Sequence, residues 1–124
     1  MTSDPVHYLS LTDVSERLRY GELRPTALSE MTLARIAQHD GALKSYTTLL
    51  ADRAMAKARQ AEAELNRGLW RGLLHGVPIA VKDLCLTDYA PTAAGMRIHK
   101  DFVPPYTCTV VDRLERRSCS ASCR

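Results

Sequence analysis

The segment 73–84, LLHGVPIAVKDL, constrains the fold of this chain more than any other stretch, because it is apolar almost throughout and carries a single lysine. Valine and isoleucine alternate with smaller residues over 77–82, and Gly76 and Pro78 punctuate the start, which predicts a short strand. Successive side chains of a strand point to opposite faces, so both faces are apolar up to Lys82. A strand of this kind belongs to a sheet covered by helices, which indicates an α/β fold.

Lys82 closes the predicted strand, so its ammonium group is expected at the carboxyl edge of the sheet, where open α/β sheets bind ligands. An amine that is partly stripped of water there has its charged form disfavoured, and the neutral amine is available as a base. On the residues alone an alternative stays open. Lys82 could be an ordinary cation that reaches solvent or pairs with Asp83.

Four short segments stand out along the chain: LHGVPIAVKD at 74–83, PTAAG at 91–95, FVP at 102–104 and TVVDRL at 109–114. Together they resemble the N-terminal part of an amidase of the amidase signature family, in the family's order and at about its spacing. The resemblance covers roughly residues 8–116. It implies hydrolysis of a small-molecule carboxylic amide to a carboxylate, with release of ammonia or an amine.

By this resemblance, Lys82 corresponds to the lysine of the family's Ser–cis-Ser–Lys triad, and it is the only catalytic residue that carries over. In the family, the bridging serine, the nucleophilic serine and the oxyanion hole lie in a Gly/Ser-rich stretch further downstream. Here the family pattern ends at about Arg116, and 117–124 has neither glycine nor an apolar strand. An oxyanion hole needs backbone amides presented by tight turns on a rigid scaffold, so the serines of this tail are not expected to replace the missing ones.

These patterns divide the chain into 1–117, the N-terminal part of an amidase domain, and 118–124, a divergent tail interpreted as a frameshifted or truncated reading frame. The predicted fold class is α/β, an incomplete N-terminal portion of the mixed-sheet amidase signature fold. Removing one member of a catalytic unit can cost as much as removing all of it, so the isolated chain is expected to be inactive.

Local patterns predict the order of the elements. Ser10 or Thr12 caps a first helix that ends near Tyr20, and Pro25 opens a second helix that Asp40-Gly41 breaks. A third helix is the clearest element, because small and apolar residues recur at steps of three and four. That stripe consists of Ala51, Ala54, Met55, Ala58, Ala61 and Leu65.

The remaining elements follow from residue preferences and turn signals. A strand is predicted near 45–50, where β-favouring residues cluster, and the lysine-bearing strand at 77–82 comes next. A loop at 83–106 and a final helix at 107–117, capped by Thr107 or Thr109, complete the sequence of elements.

Composition narrows the class of function. The 124 residues, 45% hydrophobic and 25% charged, suit one globular domain. The net charge of +3 is spread along a chain in which acidic and basic residues alternate, so no nucleic-acid partner is predicted. Residues 1–8 do not resemble a signal peptide and no run reaches the length of a membrane span, so a cytoplasmic location without membrane contact is expected. Nothing in the sequence indicates a cofactor or an oligomeric state.

The four cysteines suggest a further function. Without a secretory signal they are expected to be reduced thiols, and Cys119 and Cys123 with no nearby histidine do not complete a zinc site.

Two alternatives to the hydrolase fragment remain open. One is a small α/β binding or interaction module, which would melt cooperatively as a monodisperse chain. The other is a thiol- or metal-binding protein, which would lose zinc uptake when these late cysteines are replaced.

Overall fold

The computed structural model describes residues 5–117 and 120–123. Four helices and two short strands make up the described chain, with 3-10 turns at Val6–Tyr8 and Arg97–His99. In chain order the elements are α1 (Leu11–Arg19), α2 (Pro25–Leu43), α3 (Ala51–Asn66), β1 (Pro78–Ala80), α4 (Thr109–Arg117) and β2 (Ser120–Cys123). The structure is mostly helical, and its small parallel sheet agrees with the predicted α/β class.

β1 and β2 are hydrogen-bonded neighbours that run parallel, with Ile79 opposite Ala121. Helix α4 lies between them in the chain, which gives a β–α–β unit, since parallel neighbours need a crossover connection. The tail, for which the sequence predicts no apolar strand, thus contributes a short strand of small residues. Residues 120–123 lack β-branched side chains and adopt the strand through backbone pairing with β1. Residues 118, 119 and 124 of the predicted tail lie outside the described residues.

α1 begins where the sequence predicts. The hydroxyl of Ser10 accepts a hydrogen bond from the amide of Asp13 at 3.1 Å, and the carboxylate of Asp13 accepts one from the amide of Ser10 at 3.3 Å. This reciprocal capping box satisfies two amides that the helix itself leaves unpaired.

α2 begins at Pro25 as predicted, but its cap comes from another element. Arg24 makes no capping hydrogen bond through its side chain. Instead, the carboxylate of Glu62 on α3 accepts hydrogen bonds from the amide of Thr26, at 3.3 Å, and from its hydroxyl. A negative charge at a helix N-terminus is favourable, so this contact joins α2 to α3.

The end of α2 differs from the prediction, because the helix continues through Asp40 and Gly41 to Leu43. The carboxylate of Asp40 accepts the amide hydrogens of Ser45 at 2.6 Å and Tyr46 at 3.2 Å. Because these amides bond to a side chain and not to a neighbouring strand, the prediction of a strand near 45–50 is wrong. Only an isolated bridge at Leu49 remains of it.

α4 starts two residues later than the predicted range 107–117. The hydroxyl of Thr107 donates to the carboxylate of Asp88 at 2.8 Å and accepts the amide hydrogen of Asp88 at 3.2 Å. Thr107 is thus engaged with the preceding loop, and the helix begins at Thr109.

The core consists of three groups of buried apolar side chains. One joins α1 to α2, one lies on α3, and one joins the end of β1 to α4: Val14, Leu18 and Leu28; Ala58 and Ala61; Val81 and Val111. The buried alanines confirm the predicted stripe of α3, which packs against α2 and β2. Across the described ranges, no helix combines the length and apolar character needed to cross a membrane.

Candidate active site at the end of strand β1

The strand predicted at 77–82 is shorter in the structure, since β1 spans Pro78–Ala80 and Lys82 lies two residues beyond its end. Val81, between them, has its side chain buried against Val111 of α4. The carbonyl of Lys82 accepts a hydrogen bond from the amide of Cys85 at 2.9 Å, which closes a turn directly after the lysine. The sequence predicts that the amine of Lys82 is partly stripped of water, but the described residues, 5–117 and 120–123, leave its side chain exposed.

Asp83 connects the lysine to the PTAAG segment at 91–95. Its carboxylate accepts the amide hydrogen of Ala93 at 3.0 Å, and its carbonyl accepts that of Ala94 at 3.1 Å. Ala94 has a positive φ of 51°, a conformation in which a residue with a Cβ is uncommon. Two segments that are separate in the sequence are thus held side by side at the end of β1.

The rest of the loop is tied to the helices. The guanidinium carbon of Arg53 lies 3.7 Å from the centre of the Tyr89 ring, and Arg53 forms an ion pair with Glu115 at 3.1 Å. The Tyr89 hydroxyl donates to the same carboxylate. Through these contacts the loop after Lys82 is held against α3 and α4, so the site rests on packed elements.

The turn before β1 is organised around His75, which is 1% exposed. Its Nδ1 accepts a hydrogen bond from the backbone amide of Arg71 at 3.3 Å, and its Nε2 lies 3.0 Å from the carboxylate of Glu64 on α3. The guanidinium of Arg71 also donates to Glu64, at 2.6 Å. His75 thus belongs to the turn that leads into β1.

This network shifts the pKa values of two of its members. Burial lowers the pKa of His75 below its ordinary value, and the nearby Arg71 acts in the same direction, while Glu64 partly opposes them. Burial alone would raise the pKa of Glu64, but hydrogen bonds from Gln60, Arg71 and His75 and the charge of Arg71 lower it overall. The favoured state is therefore a neutral imidazole beside an ionised carboxylate.

Gly76 follows His75 and brings the turn against α1 and α2. Its φ is +86°, and a Cβ at this position would lie 3.0 Å from Cγ of Pro25 and 3.4 Å from Cδ1 of Leu18. Glycine is needed here both for the backbone conformation and for the close approach.

The described residues, 5–117 and 120–123, contain no group of three His, Cys, Asp or Glu side chains that could hold a metal ion. Cys85 and Cys108 are in the thiol form and pack beside Val81 and Val111. Cys119, on which the metal-binding alternative depends, lies outside the described residues.

The family profile named Amidase matches residues 27–123, and the chain therefore belongs to the amidase signature family. The match extends past Arg116, where the sequence analysis ended the family pattern, and it includes strand β2. The resemblance found in the short segments is confirmed.

Individual relatives agree with this assignment. The chain is 47% identical over 114 residues to a protein of Mycobacterium tuberculosis named as an amidase, AmiD, with 92% of this chain and 24% of the relative covered. It is 45% identical over 107 residues to a glutamyl-tRNA(Gln) amidotransferase subunit of Anaeromyxobacter dehalogenans, with 86% of this chain and 22% of the relative covered. The chain thus spans about a quarter of the length of the curated relatives it matches.

Solved structures show the same fold. The peptide amidase of Stenotrophomonas maltophilia superposes with a TM-score of 0.84 at 29% identity, covering 95% of this chain and 24% of that one. A bacterial aryl acylamidase of the amidase signature family gives a TM-score of 0.86 at 25% identity, covering 96% and 25%. The described chain therefore has the fold of one part of a larger amidase domain.

Proposed function

We propose that this chain is the N-terminal part of an amide hydrolase in which Lys82 acts as the base. The observation that carries the proposal is the position of Lys82, two residues after the end of β1 and joined through Asp83 to the loop at 91–95, in a chain of the amidase signature family. Neutral Lys82 would take a proton from the bridging serine of the family triad. That serine would in turn take the proton of the nucleophilic serine as it attacks the amide carbonyl.

The remaining steps belong to the downstream serine segment. The tetrahedral intermediate collapses to an acyl-enzyme as the C–N bond breaks, and the leaving ammonia or amine takes the proton that Lys82 held, relayed through the bridging serine. Water then hydrolyses the ester to a carboxylate and restores the serine. A lysine base must be partly desolvated to be neutral near pH 7, and Lys82 is exposed here. We propose that residues of the larger domain, outside this chain, cover it.

The names of the relatives support a carboxylic amide as the substrate class. They include a peptide amidase, an aryl acylamidase and a glutamyl-tRNA(Gln) amidotransferase subunit, and each of these names refers to an amide group. We therefore propose a small-molecule amide as the substrate of the whole enzyme. Residues 1–124 alone are expected to release ammonia at the background rate, because they provide the base without the nucleophile.

A chimeric enzyme tests the proposal. Residues 8–116 of this chain would replace the aligned segment of the Mycobacterium tuberculosis relative, and ammonia release would be measured on an amide that the unmodified relative hydrolyses. The chimera is expected to be active, and Lys82→Ala is expected to lower kcat by at least about a thousandfold, as loss of a triad member does.

The control is Lys100→Ala, because the side chain of Lys100 is 75% exposed and its ion pair with Asp101 is loose at 3.7 Å. This variant should retain the activity of the chimera. A chimera that stays fully active with Lys82→Ala would refute the role of Lys82. Ammonia release by the unmodified chain 1–124 that disappeared with Lys82→Ala would refute the expected inactivity of the isolated chain.

The interpretation of 118–124 as a shifted reading frame is also a proposal. Sequencing the coding DNA across and beyond codon 116 tests it. The proposal is supported by a second frame that continues into an apolar strand, a lysine and a Gly/Ser-rich stretch. It is contradicted if no frame continues the pattern.

A further inference from the structure

The turn at 71–76 lies shortly before β1 in the chain and is hydrogen-bonded to both α3 and α4. Arg71 donates through its guanidinium to Glu64 of α3, at 2.6 Å, and to the carbonyl of Arg116 near the end of α4, at 3.3 Å. Its backbone amide donates to Nδ1 of His75. Arg71 therefore links His75, in the turn before β1, to the end of α4, the helix that precedes β2.

The hydrogen-bond partners assign the tautomer of His75. Nδ1 faces an amide N–H, so it must be an acceptor and carries no proton. The single proton of the neutral ring is then on Nε2, which donates to the carboxylate of Glu64. Both ring nitrogens are satisfied in this one form.

Protonation of His75 would disturb one of these bonds and strengthen the other. A second N–H at Nδ1 would face the N–H of Arg71, and two donors cannot bond to each other. The imidazolium would gain attraction to Glu64, but that carboxylate already accepts hydrogen bonds from Gln60 and Arg71. The hydrogen bond that protonation breaks is therefore the one from the backbone amide of Arg71 to Nδ1.

The charged groups around the ring come from three elements. Lys57 and Glu64 belong to α3, Arg71 to the turn and Glu115 to α4, and all of them line one small cavity of about 40 Å³ beside His75. Glu115 is held by Arg53 and by the Tyr89 hydroxyl. The cavity has room for a water molecule, so the amide of Arg71 would bond to water when Nδ1 no longer accepts.

We infer that His75 is a positioning residue, which in its neutral form fixes the turn at the start of β1 through the backbone amide of Arg71 and in its protonated form releases that turn. β1 begins three residues after His75 and ends two residues before Lys82, so we expect a change at His75 to reach the end that carries the candidate base. This inference rests on the proposed function only in taking Lys82 to be the base.

Nuclear magnetic resonance of the full chain 1–124 tests this inference without any activity measurement. At pH 7.5 the ¹⁵N shifts of His75 should show a protonated Nε2 and an unprotonated Nδ1. As the pH is lowered, the exchange protection of the Arg71 amide, corrected for its intrinsic rate, should fall on the order of tenfold, the loss of one hydrogen bond. The amide resonance of Lys82 should move with the same midpoint as the His75 ring.

Two substitutions test the roles of Nδ1 and Nε2 separately. In His75→Asn the side-chain oxygen can take the place of Nδ1, so the Arg71 amide should stay protected and lose its pH dependence. In His75→Gln the side-chain nitrogen can take the place of Nε2, so protection of the Arg71 amide should be lost at every pH. The control is His39→Asn, because His39 is exposed on α2 and should leave the profile of Arg71 unchanged.

Three results would overturn the inference: a proton on Nδ1 at pH 7.5, Arg71 protection that does not change while His75 titrates, or equal loss of protection in the Asn and Gln variants. The first two are measured on the unsubstituted chain, so they decide the matter even if a variant fails to fold. An inactive chimera with the expected His75 titration would refute the proposed function alone.

Discussion

At the scale of single residues, the most demanding position is Gly76, because it combines a left-handed backbone with close packing. Gly68, after α3, has almost the same φ, +79° against +86°, but nothing lies within 4 Å of a Cβ built on it. The two glycines therefore separate the cost of the backbone conformation from the cost of the contact with Pro25.

We predict that Gly76→Ala destabilises the chain more than Gly68→Ala. Both variants should lose about 1 kcal/mol from the left-handed conformation. Gly76→Ala should lose a further ~1–3 kcal/mol because its methyl group would meet Pro25. Urea unfolding followed by circular dichroism measures both, and equal losses would contradict the close approach.

A second prediction at this scale concerns acid. His75 has a lowered pKa in the folded chain, so below its ordinary value of 6.5 the unfolded chain binds more protons and stability falls as pH falls. Glu64, also lowered, adds a loss in the same direction below its ordinary value of 4.5.

The urea midpoint should therefore decline from pH 7 towards pH 5, and His75→Asn should flatten that decline. His39→Asn, at an exposed position, should leave it intact. A decline of the same slope in His75→Asn would show that another group is responsible.

At the scale of elements, α2 depends on α3 for its N-terminal cap. The amide and hydroxyl of Thr26 both donate to Glu62, so the carboxylate of one helix holds the first turn of the other. α2 is the longest helix, with 19 residues, and its inner face contacts both α3 and β1. The cap thus helps to set the surface on which the sheet lies.

We predict that Glu62→Ala costs about 1 kcal/mol of stability, the usual effect of losing an N-terminal cap. Glu30→Ala is the matched control, because it is the same substitution at an exposed position within a helix and should change stability by less than about 0.5 kcal/mol. Thermal unfolding of both variants measures the difference, and equal melting temperatures would argue against the cap.

At the scale of the whole molecule, many large apolar side chains of the described residues face solvent. Several lie in the loop after Lys82 and on α4, where Ile98 is 86% exposed and Leu84 and Val110 are each 59% exposed. Surface of this kind on a small chain favours association with apolar partners or with other copies. This agrees with a chain whose solved relatives are about four times its length.

We predict that the isolated chain self-associates as its concentration rises, and that Ile98→Lys reduces this association. Asn66→Lys is the charge-matched control, since it adds the same charge at the exposed end of α3 without removing an apolar side chain. Sedimentation velocity over a concentration series measures the effect. A monodisperse chain at all concentrations would instead favour the binding-module alternative.

The sequence by itself determined the features that depend on near neighbours along the chain. The capping box at Ser10, the alanine stripe of α3 and the short apolar strand before Lys82 each rest on contacts within a few residues or on one periodic face. The family motifs are equally local, which is why the amino-acid sequence was sufficient to indicate the amidase relationship.

The tertiary structure alone decided what depends on distant partners. β2 exists because β1 offers it a parallel backbone, α2 continues past Gly41 and takes its cap from Glu62, and the amides at 45–46 bond to Asp40 and not to a strand. The exposure of Lys82 could not be predicted from residue preferences. Burial depends on which elements pack around a side chain, and only the tertiary structure shows that.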